Sequence, residues 1–400
     1  MKRLLCCLML TCLVWPAAAQ DGPAPDLANN AALRYWVAFN QLPEYTRQLD
    51  ALREQGGDQS ILWDQIALDE ARTLLEQSAP ARAALSALHW GSQQADCVWA
   101  IEYSAGPYAL LPHLAPARTL ARLGMMSARV RLHDGDASGA TDDLLAVLAL
   151  SHAFDSDRLL ISSLVGLSIE SMMVRFAAEH LSGFDDASVA RLADAMASQP
   201  GRPALSVVIA MEYDTFVGWL ERALRQAEAA GDGGEAVPAL LESLGMDGDR
   251  QAVEQDFEQW YAWIEEAREA YDEAGRVADL PYHALGQSMA ELEAQFVASE
   301  NQVVRLFIPS IAAVRHSSDR ALAWRTMLLA MFAIRLDDDA ADLADHPAMQ
   351  DPFGEGTFEL VIQRDDETGE LVYGLRSALV DRGGDRVELH TDAPLGQAQP

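Results

Sequence analysis

Lysine is almost missing from this 400-residue chain: Lys2 is the only one, so every other basic residue is arginine. Without further lysine there is no P-loop lysine to grip a phosphate, no Schiff-base amine and no Ser-x-x-Lys nucleophile. Cysteine is nearly as scarce. Cys6, Cys7 and Cys12 crowd the N-terminus, and Cys97 stands alone. If the first three leave with a leader, no intramolecular disulfide is possible even in an oxidising compartment. The chain lacks His-Glu-x-x-His and Cys-x-x-Cys, so a zinc site would need ligands gathered from afar. The nearest approach to a Gly-x-Ser-x-Gly elbow, Gly166-Leu167-Ser168-Ile169-Glu170, has no second glycine. Positive charge is also short: 29 basic residues face 61 acidic ones, a formal net charge of −32. Such a surface repels nucleic acid and anionic lipid. It suits a solvated exterior, or, as a sharper alternative, a reservoir for divalent cations.

Long apolar runs are confined to the N-terminus. Lys2-Arg3, the run Leu4–Val14 and Ala17-Ala18-Ala19 together read as a secretory signal peptide (1–19) cleaved after Ala19, followed by a short leader (20–29). The expected location is periplasmic or extracellular. Beyond it, the longest apolar stretch, Leu159 to Val174, is broken by Ser162, Ser163, Ser168 and Glu170. It falls short of the ~18 uninterrupted residues of a membrane span and reads as a core helix. No transmembrane helix is expected in the mature chain.

What is present is helical periodicity. The stretch Leu114–Leu181 organises the chain as three amphipathic helices. Leu114, Ala117, Ala121, Met125, Ala128 and Leu132 recur at three- and four-residue steps, with Pro116 in the first turn. Gly135 suits a left-handed helix end, Ser138 is the expected N-cap of the next helix, and Asp142 and Asp143 would sit in its first turn. The third helix, after Asp157, is nearly all apolar and reads as buried on most sides.

Upstream, Asn29 or Asn30 is expected to cap a helix that Pro43 ends. A second runs from about Tyr45 to Glu54, Asp58 caps a third carrying Ile61 to Leu75, and Pro80 restarts a fourth. Gln199-Pro200-Gly201-Arg202-Pro203 marks the best boundary. Beyond it, seams at Val253–Tyr271 and Leu285–Leu306 follow the four-three spacing of a long antiparallel helical hairpin. A last apolar helix covers Asp319–Leu336, stopped by Asp337-Asp338-Asp339. Thr357–Gln363 and Glu370–Leu375 alternate apolar and polar residues around a Gly-containing loop, and Val387-Glu388-Leu389 adds a third strand.

The fold class is therefore mainly α: an irregular multi-helix bundle of antiparallel helical hairpins with a small C-terminal β-hairpin or meander. The expected units are an N-terminal helical domain (30–199), a C-terminal helical domain (204–346), a β meander (351–391) and a disordered tail (392–400).

Three resemblances follow from these residues. Ala128 to Asp136, with Ala140 and Leu144–Leu150, resembles one tetratricopeptide-like hairpin. No second copy follows at the 34-residue period, so no superhelical peptide groove is implied. Asn30 to Trp36 with Leu42-Pro43, the set Cys97, Trp99, Tyr103, Gly106, Pro107, Leu111, Pro112 and His113, the stretch Leu160–Glu170 and Asp351-Pro352-Phe353-Gly354 resemble a group of secreted helical proteins typical of planctomycete-type bacteria. That group has no assigned activity, so the likeness implies a fold and no chemistry. The tail alone resembles the β meander closing major pseudopilins, domains that can hold calcium.

Candidate sites are few. Cys97 to His113 is where Cys, His, Asp96, Glu102 and aromatic residues concentrate. A reactive reading pairs the Cys97 thiol with His113, or uses Glu102 as an acid opposite another carboxylate. The structural reading buries Cys97 and Trp99 under the loop. A glycan-active hydrolase or lyase would need a carboxylate pair, with Glu102, Glu170, Glu212 and Asp214 as candidates. Asp134-x-Asp136-x-Ser138-Gly139 fits the first half of a calcium loop. Its twelfth position is Leu145 instead of a bidentate Glu, and a turn plus helix cap accounts for every residue. No metal or cofactor is implied. The leading expectation is an exported, non-catalytic helical binding or structural protein of the cell envelope, its partner a protein or envelope component. The carboxylate-pair enzyme and divalent-cation-dependent adhesion or storage are the alternatives.

Overall fold

Asn30 starts the described fold by capping a helix. Its side chain accepts the Ala32 N–H at 3.1 Å and satisfies one of the four orphan donors of α1 (Ala31–Phe39). The computed structural model describes residues 29–56, 66–231, 257–307, 311–337, 346–364 and 369–394. Pro43 does not close α1. It lies in the first turn of α2 (Leu42–Gly56), where its missing N–H costs nothing. The expected cap Asp58, with Ile61 and Leu62, lies outside the described residues. α3 spans Leu68–Gln77, so Ile66 precedes it. Ser78 then caps α4 (Ala79–Ser92) through the Ala81 N–H at 3.1 Å.

α5 (Leu114–His133) and α6 (Ala137–His152) form the central hairpin. Gly135 takes φ +80° at the turn, the left-handed conformation that only glycine adopts without steric cost. The N-cap of α6 is Asp136, not Ser138: its carboxylate accepts the Gly139 N–H at 2.9 Å. The helix therefore begins earlier than expected, and Asp143 falls past the first turn into the interior, where it meets His89 Nε2 at 2.7 Å and Arg131 Nε at 3.0 Å. α7 (Leu160–Glu179) crosses beneath the hairpin, and Asp185 caps α8 (Asp186–Ser198). Close crossing of α6 and α7 requires Gly166, where a Cβ would stand 2.7 Å from the Ser151 carbonyl oxygen.

After the boundary at residues 199–204 come α9 (Leu205–Glu212), a π-helical turn (Tyr213–Val217) and α10 (Gly218–Ala230). α11 (Phe257–Ala278) buries Trp260, Ile264, Ala267 and Tyr271, the expected seam; Val253 lies outside the described residues. Its partner does not run unbroken from Leu285 to Leu306. α12 (Tyr282–Ala298) stops at Ser299, whose backbone is extended, and a short α13 (Gln302–Phe307) follows. Asn301 causes the break. Its side-chain oxygen accepts the Val303 N–H at 2.9 Å, and its amide donates to the Trp263 carbonyl at 2.8 Å. α14 (Ile311–Leu336) is longer than the expected 319–336 helix. Pro309 and Asp338-Asp339 lie outside the described residues.

The described residues close with an antiparallel sheet ordered β1 (Glu359–Arg364), β2 (Leu371–Val380), β3 (Arg386–Pro394), so residues 392–394 of the expected disordered tail belong to a strand. Buried Asp351 anchors its entry, accepting from Ser377 Oγ at 2.9 Å and the Phe353 N–H at 3.0 Å. The architecture is thus mainly α with a small C-terminal β unit, as the periodicity predicts.

Among the described residues, buried apolar side chains form two clusters. The first gathers α1 to α8, the stretch Ala323–Phe332 of α14 and the sheet. The second gathers α9 to α13 with the start of α14. Among the described residues one helix, α7, is long and apolar enough to cross a membrane, and 56% of its most apolar window is buried inside the protein. Arginine forks close several helix ends. Arg325 donates to the Met196 carbonyl in the last turn of α8, and Arg335 to the carbonyls of Leu181 and Phe184. Arg315 reaches Ala278 and Leu280 at the end of α11. A planar guanidinium serves two orphan carbonyls at once, which a lysine ammonium on its flexible stem does less well.

Candidate functional site

The 97–113 segment is held at its start by Asn30. The Asn30 amide donates to the Val98 carbonyl at 3.0 Å, and its oxygen accepts the Val98 N–H at 2.9 Å. That clip turns Trp99 inward. Its indole N–H donates to the Ala153 carbonyl at 3.0 Å, and the ring stacks on His113 (centroids 4.6 Å apart), Phe154 (5.5 Å), Tyr35 (5.9 Å) and Phe39 (6.0 Å). Such stacked pairs add about 0.5–1.5 kcal/mol each beyond area burial.

His113, fully buried, sits at the foot of this stack. Its Nε2 donates to Asp157 Oδ2 at 2.7 Å, Ser162 Oγ donates to the same oxygen at 2.9 Å, and Tyr103 OH reaches Oδ1 at 3.4 Å. Two non-glycine residues with left-handed backbone flank the cluster: Ala100 at φ 56° and Arg158 at φ 52°. Positive φ strains residues that carry a Cβ and persists only where surrounding contacts over-determine it. On the far side of the segment Gly106, at φ +58°, lies flat against the Trp219 side chain of α10, and Tyr108 meets Trp219 edge-on at 5.5 Å. The loop therefore touches both helical bodies.

Cys97 is half-buried, and burial, reinforced by the Asp157 charge, pushes its thiol well above the ordinary range. Among the described residues Nδ1 of His113 has no hydrogen-bond partner, the Cys97 sulfur included. A thiol without a base in reach and with its thiolate disfavoured is a poor nucleophile. Glu102 is exposed and takes a hydrogen bond from its neighbour Ser104.

The remaining carboxylates have structural partners or diverge. Glu170, buried in α7, accepts from Arg202 Nη2 at 2.6 Å and Arg325 Nη1 at 3.1 Å; Arg202 also holds Asp155 at 2.6 Å. Glu212 is buried and accepts the Leu160 N–H at 2.8 Å; burial pushes its carboxyl up to about 7, against the opposing pull of that hydrogen bond. Asp214, two residues on, is exposed. None of these lines the groove of about 490 Å³ between α11, α12 and α13, whose walls include Glu266, Glu269, Glu273 and Phe296. Asp134 pairs with Arg72 at 2.5 Å, and Asp136 caps α6 and pairs with Arg131 at 2.9 Å. Among the described residues no group of three or more His, Cys, Asp or Glu side chains is arranged to hold a metal ion.

Asp157, Arg202 and Arg325 have no counterpart among the candidates read from sequence. Asp157 could have been noticed as a single acid directly before the apolar run that begins at Leu159. The arginine pair leaves no local signal, because its partner Glu170 is 32 and 155 residues away. Compared with family models, curated proteins and solved structures, the chain matches none.

Proposed function

We propose that the chain is an exported, non-catalytic helical protein serving as a binding or structural module of the cell envelope. The observation that carries this reading is the use made of its buried polar groups. Glu170 ties α7 to α14 and to the 199–204 boundary, Asp157 gathers His113, Ser162 and Tyr103, and Glu212 caps a neighbouring helix. Each is spent on holding helices in register, as in a scaffold that presents surfaces. Export rests on the N-terminal sequence pattern.

The concave face best suited to a partner is the groove between α11 and α13. Glu269 and Glu266 on its wall and Phe296 beside them favour a cationic protein segment, by charge and by cation–π attraction. In-cell cross-linking followed by recovery of the tagged chain is expected to return a stoichiometric envelope partner, and Glu269→Arg to abolish it without changing the melting temperature. Recovery of no partner, together with a turnover that disappears in Glu102→Gln, would sink the proposal in favour of an enzyme.

A further inference from the structure

Glu212 stands where the two apolar cores meet. It ends α9, in the second body, yet its carboxylate accepts the N–H of Leu160, the first residue of α7 in the first body, and the Leu160 side chain itself packs against the second core. The N-cap residue of α7, Leu159, offers no side-chain acceptor, so Glu212 supplies the cap from another element.

The charged and titratable groups around it are few. From α11 come Tyr271, buried and close enough to feel the Glu212 charge, and Arg268, which lies 4.4 Å over the Tyr213 ring. Asp279, just past α11, accepts the Ser206 N–H at 3.3 Å near the opposite end of α9. Ahead of α7 lies Asp157, already occupied by His113, Ser162 and Tyr103. From the π-turn come Tyr213, whose hydroxyl donates to the Ile264 carbonyl at 3.1 Å, and Asp214, exposed to solvent. Among the described residues no cation lies within ion-pair distance of Glu212.

We propose that Glu212 is a pH-sensitive latch between the two helical bodies: neutral, it seats the end of α9 on the start of α7; ionised, it loosens that junction. The neutral carboxyl keeps its carbonyl oxygen for Leu160 and is far less costly to bury in apolar surroundings than the anion. The anion keeps the same hydrogen bond and gains from the helix N-terminus, but it has no counter-ion and must recover water, which enters only if the surfaces part. The folded value, about 7, lies above the ordinary 4.5. The latch therefore contributes its full stability below about 4.5 and loses it as the pH rises through about 7. The consequence is directional: the junction is tight in mild acid and opens in mild alkali.

Amide hydrogen exchange on the full chain, corrected for the intrinsic pH dependence of exchange, reads this directly. Between about pH 6 and pH 8.5, protection of the Leu160 amide and of α9 and α11 is expected to fall by about tenfold, the equivalent of one pKa unit. α5 and α6 are expected to hold. In Glu212→Gln, which keeps the acceptor and cannot ionise, the fall should vanish. An equal fall in Glu212→Gln, or none in the natural chain, overturns the proposal. Carbon-13 NMR of the natural chain is independent of any variant: the Glu212 carboxyl should titrate near neutrality, and titration in the ordinary carboxylate range would overturn the proposal as well.

Discussion

Asp157 shows how little of a buried polar cluster is visible residue by residue. Cys97 and His113 attract notice in the sequence because they are rare and share a loop, yet the group that organises the cluster is an ordinary aspartate 44 residues beyond His113. Trp99 is the anchor of the loop, and removing its ring leaves a void among five neighbouring rings, Tyr35, Trp36, Phe39, His113 and Phe154. Trp99→Ala is expected to cost about 3–5 kcal/mol, read as a lower urea midpoint at unchanged slope. Cys97 offers a complementary test. With its thiol held protonated by burial, iodoacetamide should label it slowly in the folded chain and rapidly in urea, and labelling at the free-thiol rate without denaturant would contradict the burial described above.

Among the elements, the fold was most legible where a single helix face carries the signal. α1 follows from periodicity and its Asn30 cap, α4 from Pro80 in its first turn, and α5 and α7 from apolar periodicity alone, since neither carries a side-chain N-cap. Legibility failed at breaks made by tertiary contacts. The seam through Ser299 and Val303 keeps its spacing, but Asn301 finds a better arrangement by capping α13 and bonding to α11, which no local pattern reports. The start of α6 was misplaced because Asp136 and Ser138 are both good caps, and Arg131, one turn back on α5, supports Asp136. Glycines separate packing from flexibility at this scale. Gly166→Ala, at the α6–α7 crossing, should destabilise by about 1–3 kcal/mol through backbone displacement. Gly286→Ala, facing open space within α12, should stabilise by about 0.4–1 kcal/mol. Calorimetric melting of the two variants side by side checks both signs.

For the molecule as a whole, the helical class and the C-terminal sheet could be read from the chain, while the way the bodies are fastened together could not, since fastening uses pairs far apart in sequence. Within the first body, Glu170 between Arg202 and Arg325 is the central buried ion network. Glu170→Ala, which leaves two partly buried guanidinium groups without their shared carboxylate, should cost about 3–5 kcal/mol in chemical denaturation; a loss below 1 kcal/mol would show the network to be dispensable. The arginine forks also make the chain unusual as a substrate for trypsin. With Lys2 the only lysine, the protease cuts an arginine map. Arg47, Arg225 and Arg276 stand well exposed, at 76%, 63% and 64%. Arg202, Arg315, Arg325 and Arg335 are only 17%, 13%, 20% and 23% exposed, and their side chains are occupied. Early fragments should therefore end at the exposed positions, and the appearance of peptides ending at Arg202 or Arg325 marks the moment the buried Glu170 network comes apart.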